Sequence, residues 1–147
     1  MVETWPIVVS ALSTLDTRLE TLLERSSEIA LPEAEPAVEW VVTVAGDAPF
    51  VPRDLVERLH AGRQDSAAVF ACAASRERTH PVIALWPVSL RHDLRRAVAE
   101  HGMRKVDRFT QRYSCATVDW PVATVDPFFN VNTPEDWRAA RCFLSVQ

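Results

Sequence analysis

Glycine is the scarcest informative residue in this chain. Gly46, Gly62 and Gly102 are the only three in 147 residues, and no two are close. A glycine-rich loop that wraps phosphate oxygens in backbone N–H groups is therefore excluded within it. Cysteine is also sparse: Cys72, Cys115 and Cys142 are odd in number and widely spaced. Without a Cys-x-x-Cys pair or a neighbouring pair of histidines they build no zinc site, and reduced, mostly buried thiols are expected. Long apolar runs are missing too. Val38 to Ala45 already contains Glu39 and falls far short of the ~20 residues that span a bilayer, so no membrane partner is expected. Positive charge is in deficit, with 16 Lys and Arg against 20 Asp and Glu for a net −4. That balance gives no global field to hold a nucleic-acid backbone. The start Met1-Val2-Glu3-Thr4-Trp5-Pro6 has no basic segment leading into an apolar stretch and a cleavage site, which points to the cytoplasm.

What is present is the balance of a folded globular protein, with 48% hydrophobic and 24% charged residues. The length suits one compact core. From Ile7 to Leu23 the apolar positions Ile7, Val8, Ala11, Leu12, Leu15, Leu19, Leu22 and Leu23 recur at three- and four-residue steps, which predicts an amphipathic helix. Pro32 and Pro36 break it and begin a linker. Residues 1–37 thus read as an atypical helical segment and linker, and residues 38–147 as an α/β domain. Glu39 to Ala45 is β-branched and almost continuously apolar, as in a strand buried on both faces. Further strands are expected at Ala67 to Ala73, Val82 to Trp86 and Cys115 to Val118. Helices are expected around Leu55 to Leu59, ending near Gly62, and from Ser89 to His101 with Gly102 as the stop. Thr133-Pro134-Glu135-Asp136 is a strong helix start, with a hydroxyl cap, proline in the first turn and acids at the positive end of the dipole. Strands alternating with helices indicate a largely parallel sheet.

Asp47 follows directly after an apolar strand, at the carboxyl end where open α/β sheets bind ligands. A carboxylate there suits magnesium, which takes one or two carboxylates together with phosphate oxygens and water. It equally suits a side-chain cap on the turn at Phe50 or on the next helix. Asn130 and Asn132 flank Val131 and point the same way if the stretch is extended. Such a pair can hydrogen-bond a nucleotide or complete a metal site, or serve only as turn and cap chemistry. Arg104-Lys105-Val106-Asp107-Arg108 has enough positive charge for one phosphate, or forms a solvated face. His80, before Pro81 at the mouth of a strand, can meet a ligand or act as a structural hydrogen-bonder. No nucleophile elbow or activated thiol is spaced for covalent hydrolysis.

Four blocks taken in order carry a family likeness. They are Trp40-Val-Val-Thr-Val-Ala-Gly46-Asp47-Ala-Pro49-Phe50-Val-Pro52-x-Asp54-Leu55, His80-Pro81-Val-x-Ala-Leu85-Trp86, Gly102-Met-Arg104-Lys105-Val106 and Phe129-Asn130-Val-Asn132-Thr133-Pro134-Glu135-Asp136. The set resembles the molybdenum cofactor guanylyltransferases over roughly Val38 to Leu144. The resemblance implies a Rossmann-like three-layer αβα nucleotidyltransferase fold and transfer of GMP from GTP to molybdopterin with Mg2+. It casts Asp47 as the catalytic, magnesium-binding carboxylate and Asn130 and Asn132 as paired amides completing the site. Arg104 and Lys105 match a basic stretch for the pterin phosphate, and His80 is a further candidate contact to substrate.

Members of that family begin with a strand running into Leu-Ala-Gly-Gly-x-Ser-x-Arg-Met-Gly-x-x-Lys and carry a Gly-Pro-Leu-Ala-Gly turn before the aspartate strand. Neither is found here, and Met1 to Ala37 has no glycine. Losing one donor aimed at developing charge costs ~10²–10³ in rate, so impaired turnover is expected. Two alternatives stand beside the enzyme reading. One is a non-catalytic remnant that binds molybdopterin or a molybdoenzyme partner; the other is a related transferase of CTP or a sugar phosphate. With its first strand missing, the sheet is expected to leave Glu39 to Ala45 with an unpaired edge. Self-association, or complementation by an amino-terminal half from another polypeptide, would then follow.

Overall fold

A computed structural model of the chain describes residues 7–12, 38–99 and 106–144. Five strands, β1 (Ile7–Leu12), β2 (Trp40–Ala45), β3 (Phe70–Ser75), β4 (Arg78–Pro87) and β5 (Cys115–Asp119), form one sheet in the order β1-β2-β4-β3-β5. β1 is parallel to β2 and β3 to β5, while β4 is antiparallel to both β2 and β3. The four parallel strands therefore share one carboxyl edge, at which β4 begins. Four helices accompany them among the described residues: α1 (Leu55–Asp65), α2 (Arg91–Ala99) entered through a 3₁₀ turn at Val88–Leu90, α3 (Val106–Thr110) and α4 (Pro134–Leu144).

Alternation along β3, whose six residues are all buried, builds the layers. Ala71 and Ala73 face Leu55 and Leu59 of α1 together with Ile83, Leu85, Trp120 and Phe128. Phe70 and Cys72 face the other way, among Ala84, Trp86, Leu90, Leu94, Ala97 and Phe109. Helices thus cover both faces, as the apolar character of β2 and β3 requires. The Phe70 and Trp86 rings stack at 4.7 Å. Leu59 and Leu85 are sealed from solvent, each burial stabilising by roughly 1.5–3 kcal/mol.

The structure corrects several expectations. Ile7–Leu12 is a strand, not the start of a helix, and is in parallel register with β2 from Ile7 opposite Trp40 to Leu12 opposite Ala45. Ile-Val-Val-Ser-Ala-Leu is a short, nearly continuous apolar run, and such runs fit a buried strand as well as a helix. β-branching at three of its positions tips the balance. Residues 13–37 lie outside the described residues. The strand expected to be left with a bare edge is flanked on one side by β1 and on the other by β4, so its ladder offers no such template for self-association. Gly62 does not end α1, which continues to Asp65. A Cβ at Gly62 would stand 2.5 Å from Val118 Cγ2, so its bareness lets α1 approach β5. Of the thiols only Cys72 is buried; Cys115 and Cys142 are exposed.

The strand expected at Val82 to Trp86 is longer, and β4 begins at Arg78. It is joined to β3 by a two-residue turn, Ser75 pairing with Arg78, and Arg76 and Glu77 both adopt positive φ of 50° and 62°. That left-handed pair is the geometry tight hairpins favour, at a cost of roughly 1–2 kcal/mol for each residue that is not glycine.

Between β2 and β4 a buried chain of hydrogen bonds fixes the register. Trp86 Nε1–H donates to Thr43 Oγ1 at 3.0 Å, and Thr43 Oγ1 donates to the Val82 carbonyl at 2.6 Å. Thr43→Val keeps the shape and deletes both bonds. The variant is expected to lose about 2–3 kcal/mol in urea unfolding, because the indole N–H is left buried and unpaired. A loss below about 0.5 kcal/mol would show that the bonds do not hold this register.

Candidate functional site

The shared carboxyl edge collects the functional candidates. β2 ends at Ala45, and the Ala48 N–H donates to the Ala45 carbonyl at 3.2 Å, closing a turn through Gly46 and Asp47. Asp47 is half-buried. Among the described residues its carboxylate accepts no hydrogen bond, so it does not cap the Phe50 turn. Nor does it cap α1, which Asp54 precedes. The Asp54 carboxylate instead accepts Trp120 Nε1–H at 3.1 Å, while the Arg58 guanidinium lies over the Trp120 ring at 4.4 Å.

The segment after β5 returns along this edge. The Val131 N–H donates to the Asp47 carbonyl at 2.8 Å, which brings the residue between Asn130 and Asn132 against the Asp47 turn. Both asparagines are exposed. α4 then starts on the box the sequence predicts: the Asp136 N–H donates to Thr133 Oγ1 at 3.1 Å, and the Asp136 carboxylate accepts the Asn132 and Thr133 N–H groups at 3.1 and 2.9 Å. The Thr133 hydroxyl and those two amides hold the Asp136 carboxyl below the usual carboxylate range. The asparagine pair is thus locked at both ends, by β2 on one side and a helix cap on the other.

His80 stands at the same edge, half-buried, with its ring 5.0 Å from the Phe128 ring. Its Nε2 is 2.8 Å from Ser75 Oγ, and Ser75 Oγ donates to the two Asp126 carboxylate oxygens at 2.8 and 3.0 Å. A carboxylate only accepts, so the single serine proton is committed to Asp126 and the histidine Nε2–H must donate to Ser75. That polarity is the reverse of a nucleophilic triad, in which the imidazole takes the serine proton. Among the described residues His80 therefore has a structural hydrogen bond, and no feature marks Ser75 as a nucleophile. Asp126 and Ser75 escaped the sequence reading. The only signal was Asp126-Pro127 ahead of the asparagines, which reads as a turn. Arg104 and Lys105 lie outside the described residues.

Among the described residues no three His, Cys, Asp or Glu side chains cluster as a ready cage. A lone carboxylate with no His or Cys partner does not build a closed zinc site, and it leaves room for a hard divalent cation that takes its other oxygen ligands from outside the described residues. No helix among the described residues is long and apolar enough to cross a membrane.

The family model described as MobA-like NTP transferase domain matches residues 15–116. A molybdenum cofactor guanylyltransferase of Rhodopseudomonas palustris is 59% identical over 108 residues, covering 74% of this chain and 50% of that protein. The crystal structure of molybdopterin-guanine dinucleotide biosynthesis protein A from Archaeoglobus fulgidus aligns with a TM-score of 0.58 at 26% identity, over 74% of this chain and 57% of that one. The 2-C-methyl-D-erythritol 4-phosphate cytidylyltransferase of Thermus thermophilus aligns with a TM-score of 0.55 at 17% identity, over 94% of this chain and 99% of that one. At that identity the likeness is one of fold, and the mixed sheet with flanking helices is of the Rossmann-like nucleotidyltransferase type. The chain spans about half the length of the curated relatives it matches.

Burial pushes the His80 imidazole below its usual range, against the pull of the Asp126 carboxylate and with the help of Arg78. The unfolded chain takes up a proton near pH ~6.5 that the folded chain resists. This contribution is intact above that pH and is lost as the pH falls toward the lower folded value. Thermal melts should show Tm dropping as the pH falls below about 7, and His80→Gln, which can still donate to Ser75 without titrating, should flatten the drop. Equal slopes in the two proteins would remove His80 from the acid response.

Proposed function

The chain belongs to the MobA-like NTP transferase domain family, and on that premise we propose that it carries the metal-facing and pterin-facing part of a cytoplasmic molybdenum cofactor guanylyltransferase. The reaction is transfer of GMP from GTP to molybdopterin. A pterin phosphate oxygen forms a bond to the α-phosphorus of GTP while the bond from that phosphorus to the leaving pyrophosphate breaks in line. The observation that carries the reading is the 2.8 Å bond from the Val131 N–H to the Asp47 carbonyl. It ties the Asp47 turn at the tip of β2 to the backbone between the two asparagines, at the edge where such sheets bind ligands.

In this reading Asp47 is the catalytic carboxylate and holds Mg2+, with the strand fixing its position. Bound there, the ion offsets the charge that builds on the leaving oxygens. Asn130 and Asn132 offer amide donors and acceptors to a phosphate or ribose oxygen, or a carbonyl oxygen to the metal. Arg104 and Lys105 meet the pterin phosphate as cations. His80 serves the site through Phe128 and Ser75 and does not need to touch the substrate.

The lack of a glycine-rich loop within the chain favours a second reading, in which the same edge binds cofactor without turnover. On the first reading the chain transfers GMP slowly at best, since the backbone donors for the triphosphate are not its own. Calorimetric titration with GTP and Mg2+ separates the two. The enzyme reading expects micromolar binding that Asp47→Asn weakens by at least the ~10–100-fold that a lost outer-shell partner already costs a metal site. Silence with GTP, and heat only with molybdopterin, would give the ground to the remnant.

A further inference from the structure

The segment 126–131 contains no helix or strand, yet it presents the asparagine pair. Its shape therefore rests on a few bonds. At the far end the Val131 N–H is tied to the Asp47 carbonyl at the tip of β2. At the near end everything converges on Asp126. The Phe128 N–H donates to Asp126 Oδ1 at 2.9 Å, the Phe129 N–H donates to the Asp126 carbonyl at 3.0 Å, and Ser75 Oγ donates to both carboxylate oxygens. Ser75 is the last residue of β3 and only 1% exposed. A hydroxyl buried so deeply at a strand tip is stable only when its hydrogen bonds are satisfied, and Asp126 and His80 satisfy it. Phe128, 3% exposed, is wedged between the His80 and Trp120 rings, so the turn that Asp126 makes is pinned by packing as well. The Arg76 guanidinium, 3.6 Å from Asp126 Oδ2 and largely exposed, adds little.

We propose that Asp126 is a positioning residue for Asn130 and Asn132: its carboxylate, oriented by Ser75 and through it by His80, ties the segment to β3 and so sets where the two amides stand relative to Asp47. The chain runs His80 Nε2–H to Ser75 Oγ, Ser75 O–H to the Asp126 carboxylate, and Phe128 N–H to the same carboxylate. Each donor points at the next group in the chain, the Ser75 hydroxyl being shared by both oxygens of one carboxylate, so the three groups hold one another's rotamers. The consequence for ligand binding rests on the function proposed above, whereas the link from Asp126 to Val131 does not.

Two readouts on the whole chain keep these apart. Amide hydrogen exchange followed by NMR reports the Val131 to Asp47 bond without any ligand. In Asp126→Ala the exchange of Val131 is expected to rise about tenfold or more, the size of a lost bond to a charged group, while Val42 and Leu85 in the sheet keep their protection. Asp126→Asn retains an oxygen acceptor for Phe128 N–H and Ser75 O–H and should restore Val131 to near the wild-type rate. Ser75→Ala, which leaves the carboxylate but removes its orienting donor, should give a rise of a few-fold. A residue with only a general stabilising role would raise exchange throughout the sheet, and the Asn variant would not rescue Val131 selectively. Uniform loosening, or Val131 exchange unchanged in the Ala variant, overturns the proposal. Titration of the same variants with GTP and Mg2+ reads the second link, and affinity is expected to fall with Asp126→Ala and return with Asp126→Asn. Should the wild type bind no GTP while Val131 still answers to Asp126, the positioning role stands and the functional reading fails.

Discussion

Strand β4 is the member on which the arrangement depends. In the order β1-β2-β4-β3-β5 it is the one strand that pairs with both β2 and β3, so without it the sheet separates into two parallel pairs. The candidate site draws from both halves: Asp47 comes from the tip of β2, and Ser75 and Asp126 come from β3 and the segment after β5. The spacing between a carboxylate on one half and asparagines carried by the other is set through β4. That is why the buried bonds joining Thr43, Trp86 and Val82 matter beyond their own few kcal/mol. A one-residue slip of β4 would send every side chain on it to the wrong face. An apolar core alone would not forbid that slip, since Ala84, Leu85 and Trp86 are all apolar.

Much of this was legible in the sequence where one physical signal stood alone. The apolar run of β2 ending in Gly46-Asp47, and the cap at Thr133 before α4, are local chemistry and read directly. The paired asparagines were legible as an i, i+2 pattern, although what they face was not. Ile7–Leu12 failed because a six-residue apolar run carries no period, and the residues after it lent it a helical one. The β3–β4 hairpin was hidden because Arg76 and Glu77 hold the left-handed turn that Asn-Gly usually announces. Helix α3 has only five residues, too few to display a face. Ser75 and Asp126 are 51 positions apart, and no local pattern marks such a pair. A serine closing an apolar strand and an aspartate before a proline each read as ordinary turn chemistry.

Two of the three glycines, those within the described residues, show how the chain divides its labour. Gly46 lies in the turn that delivers Asp47, and Gly62 gives up its Cβ so that α1 can approach β5. Neither is available to cradle phosphate. With a net charge of −4 the molecule also has no long-range field to gather a polyanion. On the proposed reading, attraction for GTP must come from a shared cation at Asp47 and from a few directed donors. Directed donors work only when held in place, because a misplaced amide cannot follow the charge as it moves in the transition state.

That requirement explains why burying His80 is tolerable. Its desolvation opposes the imidazolium, and a neutral ring still keeps the single Nε2–H that Ser75 requires. A protonated ring would keep the same bond but lose hydration, a cost that the Asp126 carboxylate offsets only in part and to which the Arg78 guanidinium adds. Burial therefore extends the neutral form below the ordinary histidine range, and the network then runs in one direction only, from imidazole to hydroxyl to carboxylate. The same direction leaves the serine oxygen without a base to activate it. An arrangement of Ser, His and Asp that looks catalytic in composition is, by the placement of one proton, a brace for the segment that carries the asparagines.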